Sequence, residues 1–306
     1  MQNFKSLDKI RVIMSYNSIY KSDLFDDKVV IVTGGGSGIG RCTAHELSAL
    51  GASVVLVGRN IEKLQLAESE IIREGGVASA IACDIRDEAQ VIDVVNKKLE
   101  KYGRIDGLIN NAGGQFRKEL ENISTNGFEA VVRNNLTGGF IFMRETYKRW
   151  MKSNGGAIVN IAADVVGGWP NYAHSGAARA GMINLTESAA FEWAESGVRV
   201  NSVAVGGVAS SGFDTYTPEA QEEILKFPKR IPMQRYGNVS EISAAIVFLL
   251  SPGAAFITGT CLRVDGGAPN ARICFKDLEN HSRAETYRGF HLDEMPKLLV
   301  EGIRTV

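Results

Sequence analysis

The sequence predicts a doubly wound α/β fold, a seven-stranded parallel sheet with helices on both faces. Seven short β-branched runs alternate with longer helical stretches between residues 28 and 264. The runs are near-continuously apolar rather than alternating, as strands are when helices cover both sides of a sheet. Glycine is abundant, at 33 of 306 residues, while proline is held to 7. That pairing suits a folded chain with many close backbone approaches, not a disordered or collagen-like one.

Strands are expected at 29–32, 54–57, 77–81, 107–110, 157–161, 198–203 and 261–264. Amphipathic helices are expected at 42–50, 62–73 and 90–102; in the last, Val91, Val94, Val95 and Leu99 share one face. No proline precedes Pro170, so the first βαβ units run uninterrupted, with right-handed crossovers. All glycines except Gly289 and Gly302 lie between Gly34 and Gly267. The expected organisation is therefore one domain over 25–269, an N-terminal extension of 1–24 and a C-terminal extension of 270–306, without internal repeats.

Bulk features exclude several classes. The net charge of −1, from 34 basic and 35 acidic side chains, offers no footprint for nucleic acid. Cys42, Cys83, Cys261 and Cys274 form no CxxC pair and read as reduced, mostly buried thiols. His45, His174, His281 and His291 lack zinc-ligand spacing, so no metal site is expected. The longest apolar stretch, 244–250, is far too short to span a membrane. Lys5, Asp8, Lys9 and Arg11 interrupt the first twenty residues, leaving no signal-peptide core. A cytoplasmic protein is expected.

The first strand runs into Thr33-Gly34-Gly35-Gly36-Ser37-Gly38-Ile39-Gly40, and a helix follows at once. Residues without side chains let a dinucleotide pyrophosphate approach the backbone, and the helix N-terminus offers unpaired N–H groups to it. The spacing is TGxxxGxG, set by Thr33, Gly34, Gly38 and Gly40. Later come Asn110-Asn111-Ala112-Gly113, Asn135 in Asn-Leu-Thr-Gly, Gly156-Ala-Ile-Val-Asn160 and Asp265-Gly266-Gly267. With these motifs in this order, the chain resembles the short-chain dehydrogenase/reductase family over about residues 25–267.

The resemblance implies a Rossmann fold, a nicotinamide cofactor and a homotetramer. It also implies cofactor contacts from Thr33, Gly34, Ser37, Gly38, Ile39, Gly40, Asp84, Ile85, Asn111, Ala112, Gly113, Val208 and Ser210. In similar enzymes the position of Asp84 contacts the adenine amino group; a helix-capping role is its alternative. The second strand ends Val57-Gly58-Arg59, with no acid to hold a ribose 2′-hydroxyl. The Arg59 guanidinium suits a 2′-phosphate, so NADP(H) is expected as the preferred cofactor over NAD(H). The other reading of Arg59 is a solvated arginine at a helix start.

The family's usual Tyr/Lys couple, spaced YxxxK, is absent from this sequence. Ser175 falls in the tyrosine slot, Arg179 in the lysine slot and Ala163 near the serine slot; Asn135 retains the family type. Arg179 still supplies positive charge and donors for ribose hydroxyls but releases no proton near neutrality. Ser175 is expected to donate a hydrogen bond to a substrate or ribose oxygen. Asp164, Tyr172 and His174 are the nearby groups that could handle a proton. In 2,4-dienoyl-CoA reductases a tyrosine eleven residues before the serine is the donor, and here Asp164 holds that place. A carboxyl in an apolar pocket has a raised pKa and can donate; alternatively Asp164 caps the loop beside Gly167 and Gly168.

The Ser175-to-Arg179 stretch resembles peroxisomal trans-2-enoyl-CoA reductases, 2,4-dienoyl-CoA reductases and bacterial citronellol/citronellal dehydrogenase-like proteins, and overall texture lies nearest the last. Residues 211–237 are expected to cover the substrate with Phe213, Tyr216, Leu225, Phe227, Ile231 and Met233, an apolar lid or ordinary helical packing. The expected activity is NAD(P)-dependent hydride transfer on an apolar aliphatic or terpenoid alcohol or aldehyde. The alternatives are reduction of an enoyl-CoA thioester and, in another class, a dinucleotide-binding sensor or scaffold with an eroded centre.

Overall fold

A computed structural model describes residues 15–210, 213, 217–271 and 280–304. Tyr216 and Cys274, named above, lie outside the described residues, as does most of the stretch before Tyr16.

The strands are β1 (Val29–Thr33), β2 (Ser53–Gly58), β3 (Val77–Ala82), β4 (Gly107–Asn110), β5 (Gly156–Ala163), β6 (Val198–Val205) and β7 (Cys261–Val264). All pair in parallel, in the order β3-β2-β1-β4-β5-β6-β7. The order reverses between β1 and β4, and a crevice opens there at the carboxyl ends of the strands. The helices α1 (Gly38–Ala49), α2 (Ile61–Arg73) and α3 (Glu88–Tyr102) match the expected amphipathic stretches, the first beginning four residues earlier than expected.

Two cores sandwich the sheet. On one face Val30, Val32, Val54 and Leu56 pack with Leu47 of α1, Leu64 of α2 and Ile246 of α9 (Val239–Leu250). On the other, Ile31, Val55 and Val57 pack with Val94 of α3, Phe142 of α5 (Gly138–Thr146) and Met182 of α7 (Ala173–Trp193). Neighbouring residues of one strand thus serve opposite cores, which is why the runs are apolar throughout.

Side-chain caps start several of the helices. Asn60 caps α2 by accepting from the Lys63 N–H, and Asp87 caps α3 by accepting from Ala89 and Gln90. Asn238 and Glu241 form a reciprocal capping box on α9. Between α4 (Thr125–Val132) and α5, residues Arg133–Thr137 form a π-helical turn. A second π turn, Tyr147–Met151, joins α5 to α6 (Lys152–Asn154). Helices α8 (Pro218–Lys226) and α10 (Lys297–Arg304) complete the described chain.

Both extensions pack against the domain. Tyr16 and Phe290 are buried together over α1. His45 lies between Glu70 and Glu74, and His291 meets Glu74 at 2.9 Å. Burial outweighs those carboxylates and lowers the His45 pKa. Among the described residues no helix is long and apolar enough to cross a membrane.

Candidate active site

A cleft of about 1360 Å³ runs across the carboxyl ends of the strands, from β2 and β3 to β6. Its first half is built on the glycine turn. Gly34 has φ +68° and Gly38 φ +50°, values that side chains rarely adopt. A Cβ on Gly40 would lie 2.3 Å from the Gly34 carbonyl oxygen, so only glycine lets α1 pack against the turn. At Gly38 no heavy atom comes within 4 Å of a built Cβ, leaving the N-terminus of α1 open to the cleft. Ser37 stands at its N-cap, and its hydroxyl makes no capping bond. Unpaired N–H groups, a free hydroxyl and open space fit a pyrophosphate.

Gly34, Ser37, Gly38, Ile39, Arg59, Asp84, Ile85, Asn111, Ala112, Gly113, Arg179, Val208 and Ser210 all line this cleft. Thr33 and Gly40 lie behind this lining. The Thr33 hydroxyl donates to the Ile109 carbonyl and accepts from the Asn111 and Ala112 N–H groups. It braces the end of β4 against the glycine turn, while Asn111 Nδ2 donates to the Thr33 carbonyl at 2.9 Å. Asp84 is gripped by Arg86, whose side-chain hydrogen bonds hold the carboxyl down at about 2. The cap of α3 is Asp87, so capping is not the work of Asp84. Arg59 is exposed, and Lys63 lines the same end.

The second half lies beyond β5. Asp164 ends that strand, lines the cleft and is half-buried. Burial pushes its carboxyl above the usual range, with the Asp265 charge adding to the rise. The Val166 N–H at 3.2 Å and the Arg263 charge oppose it. That Val166 contact also makes Asp164 the cap of the following loop. Arg179 is buried; its guanidinium donates to the Ile161 carbonyl, and burial lowers its pKa to about 10. Gly113 is the only residue type that fits beside it, since a Cβ there would lie 2.3 Å from Arg179 Nη2.

Two expected catalytic residues lie just behind the cleft lining with their polar groups engaged. Ser175 is fully buried, and its hydroxyl donates to Gln115 Oε1 at 2.7 Å rather than reaching an open surface. Asn135 sits in the first π turn and holds the loop after β4, donating to the Gly114 and Val131 carbonyls and accepting from the Gly114 N–H. Its neighbour Asn134 lines the cleft in its place. His174 is also buried: Nδ1 accepts from the Ser175 N–H, and the ring packs edge-on against Phe116.

The remaining wall is aromatic. Trp169, Tyr172, Phe213, Phe227 and Tyr236 line it. The Tyr236 hydroxyl donates to the Ile224 carbonyl at 2.6 Å, and burial pushes its pKa up. Of the other expected lid residues, Ile231 is packed in the interior, while Leu225 and Met233 face solvent. Sequence reasoning missed Gln115, Arg117 and Asn134. Gln115 follows the Asn110-to-Gly113 motif by two residues, but nothing local marks a lone Arg117 as a cleft residue. Arg117 has no ionic partner among the described residues.

A family model described as enoyl-(acyl carrier protein) reductase matches residues 34–269. A peroxisomal 2,4-dienoyl-CoA reductase of Danio rerio is 37% identical over 255 residues, covering 83% of this chain and 85% of that protein. A probable 2,4-dienoyl-CoA reductase of Bacillus subtilis is 34% identical, over 79% of this chain and 96% of its own. Among solved structures, a citronellol catabolism dehydrogenase of Pseudomonas aeruginosa is 52% identical with a TM-score of 0.75, over 83% of this chain and all of that one.

Proposed function

The chain belongs to the short-chain dehydrogenase/reductase family and is an oxidoreductase; from that premise we propose that it reduces a conjugated carbon–carbon double bond of an apolar enoyl thioester, with NADP(H) as the preferred cofactor. The observation that carries this reading is Asp164. Ser175 is committed to Gln115, and Arg179 stays cationic near neutrality. Asp164 is the acid at the inner end of the aromatic half, whereas Glu223 is exposed and paired with Arg230.

When bound, the dinucleotide supplies the hydride. Its pyrophosphate would be held by the turn from Gly34 to Ile39, and its nicotinamide ribose by Arg179. Reduction of a conjugated thioester leaves an enolate whose carbon takes a proton, and a cleft carboxyl whose pKa is raised by burial is the group placed to deliver one. Arg179 places positive charge near the developing negative charge. Alcohol oxidation requires a base for the hydroxyl proton, and the family position for that tyrosine holds a buried serine. Arg117, without an ionic partner among the described residues, suits a phosphate-bearing carrier better than a neutral terpenoid. Exposed Arg59 beside Gly58, with Lys63 close by, supports the 2′-phosphate.

A second reading, alcohol or aldehyde chemistry on a citronellol-like chain, is favoured by the 52% identity to the citronellol catabolism dehydrogenase. We further read the protein as cytoplasmic and homo-oligomeric, a tetramer by family resemblance. Exposed Phe140 on α5 and Phe191 on α7 offer apolar surface for such contact.

Nicotinamide absorbance tests these readings under each cofactor: loss with 2,4-dienoyl-CoA, 2-enoyl-CoA or citronellal and the reduced cofactor, gain with citronellol and the oxidised one. Turnover of a conjugated thioester with NADPH is the expected result. Turnover of citronellol or citronellal alone overturns it in favour of the second reading. Tight cofactor binding without any turnover points to a sensor.

A further inference from the structure

The C-terminal extension reaches the substrate lid from outside. His281 Nε2 meets the Pro232 carbonyl at 2.9 Å, and Arg235 donates to the Glu285 carbonyl. Asn238 Nδ2 donates to the Tyr287 carbonyl at 2.7 Å, and the Phe290 N–H donates to Ser240 Oγ at 3.0 Å. The extension thus follows the segment from Pro232 to Ser240 residue by residue. Its far end is anchored: Phe290 is 6% exposed, stacks on Tyr16 and lies beneath the Arg41 guanidinium.

The gripped segment leads straight to the cleft. Arg235 chelates Glu241 and donates to the Tyr236 carbonyl. Tyr236 lines the cleft, packs against Phe213 and Phe227, and ties α8 through the Ile224 carbonyl. On the inner side the segment bonds to Gly207, Ala209 and Gly266 just beyond the strand ends. The extension supplies the outer restraint, and α10 lies against α8.

We propose that the C-terminal extension is a working part of the substrate site, in which Phe290 is a positioning residue that fixes the Arg235–Tyr236 turn and so sets the acyl-chain length the cleft accepts. Burial of an aromatic ring supplies the anchor, and the hydrogen bonds carry its position to Tyr236. The substrate-length consequence rests on the thioester reading; the mechanical coupling does not.

The test compares full-length Phe290→Ala and Phe290→Leu with the parent by hydrogen exchange and kinetics. In Phe290→Ala, amide exchange over residues 217–237 rises about tenfold while β1 and β5 stay protected. KM for a ten-carbon 2-enoyl-CoA rises severalfold with kcat little changed, the short crotonyl-CoA is less affected, and Phe290→Leu restores most of the difference. Unchanged exchange over 217–237, or an equal rise throughout the sheet, overturns the proposal. Should Phe290→Ala not fold, His281→Ala removes the bond to Pro232 without touching the anchor, and lid exchange must still rise. Faster lid exchange in an enzyme that ignores thioesters would refute the functional reading while leaving the coupling intact.

Discussion

Burial drives Asp164 and Arg179 toward neutrality from opposite sides, raising one pKa and lowering the other to about 10. The guanidinium stays charged near neutrality, which leaves the carboxyl as the one of the two that can trade a proton. Asp164→Asn should lower kcat by about 10²–10⁴-fold for a conjugated thioester. Because the protonated acid is the active form, the parent rate should fall as pH rises through that pKa, and the variant should lose this limb. An unchanged pH–rate profile removes Asp164 from the mechanism. Arg179→Ala should weaken dinucleotide binding and kcat together, whereas Ser175→Ala should cost only the Gln115 hydrogen bond, about 1 kcal/mol of stability. Titration calorimetry and thermal melts separate the two. Arg59→Ala should raise the KM for NADPH far more than that for NADH; equal effects would sink the 2′-phosphate role.

At the scale of elements, the glycine turn and α1 act as one unit. Gly40→Ala should destabilise by about 1–3 kcal/mol, since its Cβ meets the Gly34 carbonyl rather than a yielding side chain. Denaturant melts check this. The same helix carries His45, whose pKa burial depresses below 6.5. Below 6.5 the unfolded chain binds a proton that the folded one resists, so stability falls as pH drops through that window. His45→Gln should flatten the melting temperature across it. The turn was legible because its backbone demands leave glycines in a row. The π turn at Arg133–Thr137 was not, since its hydrogen-bond register has no residue signature; it sets Asn135 against the loop after β4 and puts Asn134 at the cleft wall.

For the whole molecule, the shared sheet couples both cores, and the extensions lie over α1 and α9. A single calorimetric transition is expected, and NADPH at 100 times its Kd should add about 2.7 kcal/mol. Two separate transitions would show an independently melting part. The sequence by itself determined the layered architecture, the strand positions and the dinucleotide turn, because periodicity and backbone permissiveness are local properties. Tertiary structure decided which side chains face the cleft. It sealed Ser175 beneath Gln115, sixty residues away, and left Asp164 at the wall. It also brought Phe290 to Ser240, fifty residues back, placing a terminal extension behind the substrate lid. Contacts between distant residues are set by packing of the finished sheet and helices, and no local pattern records them.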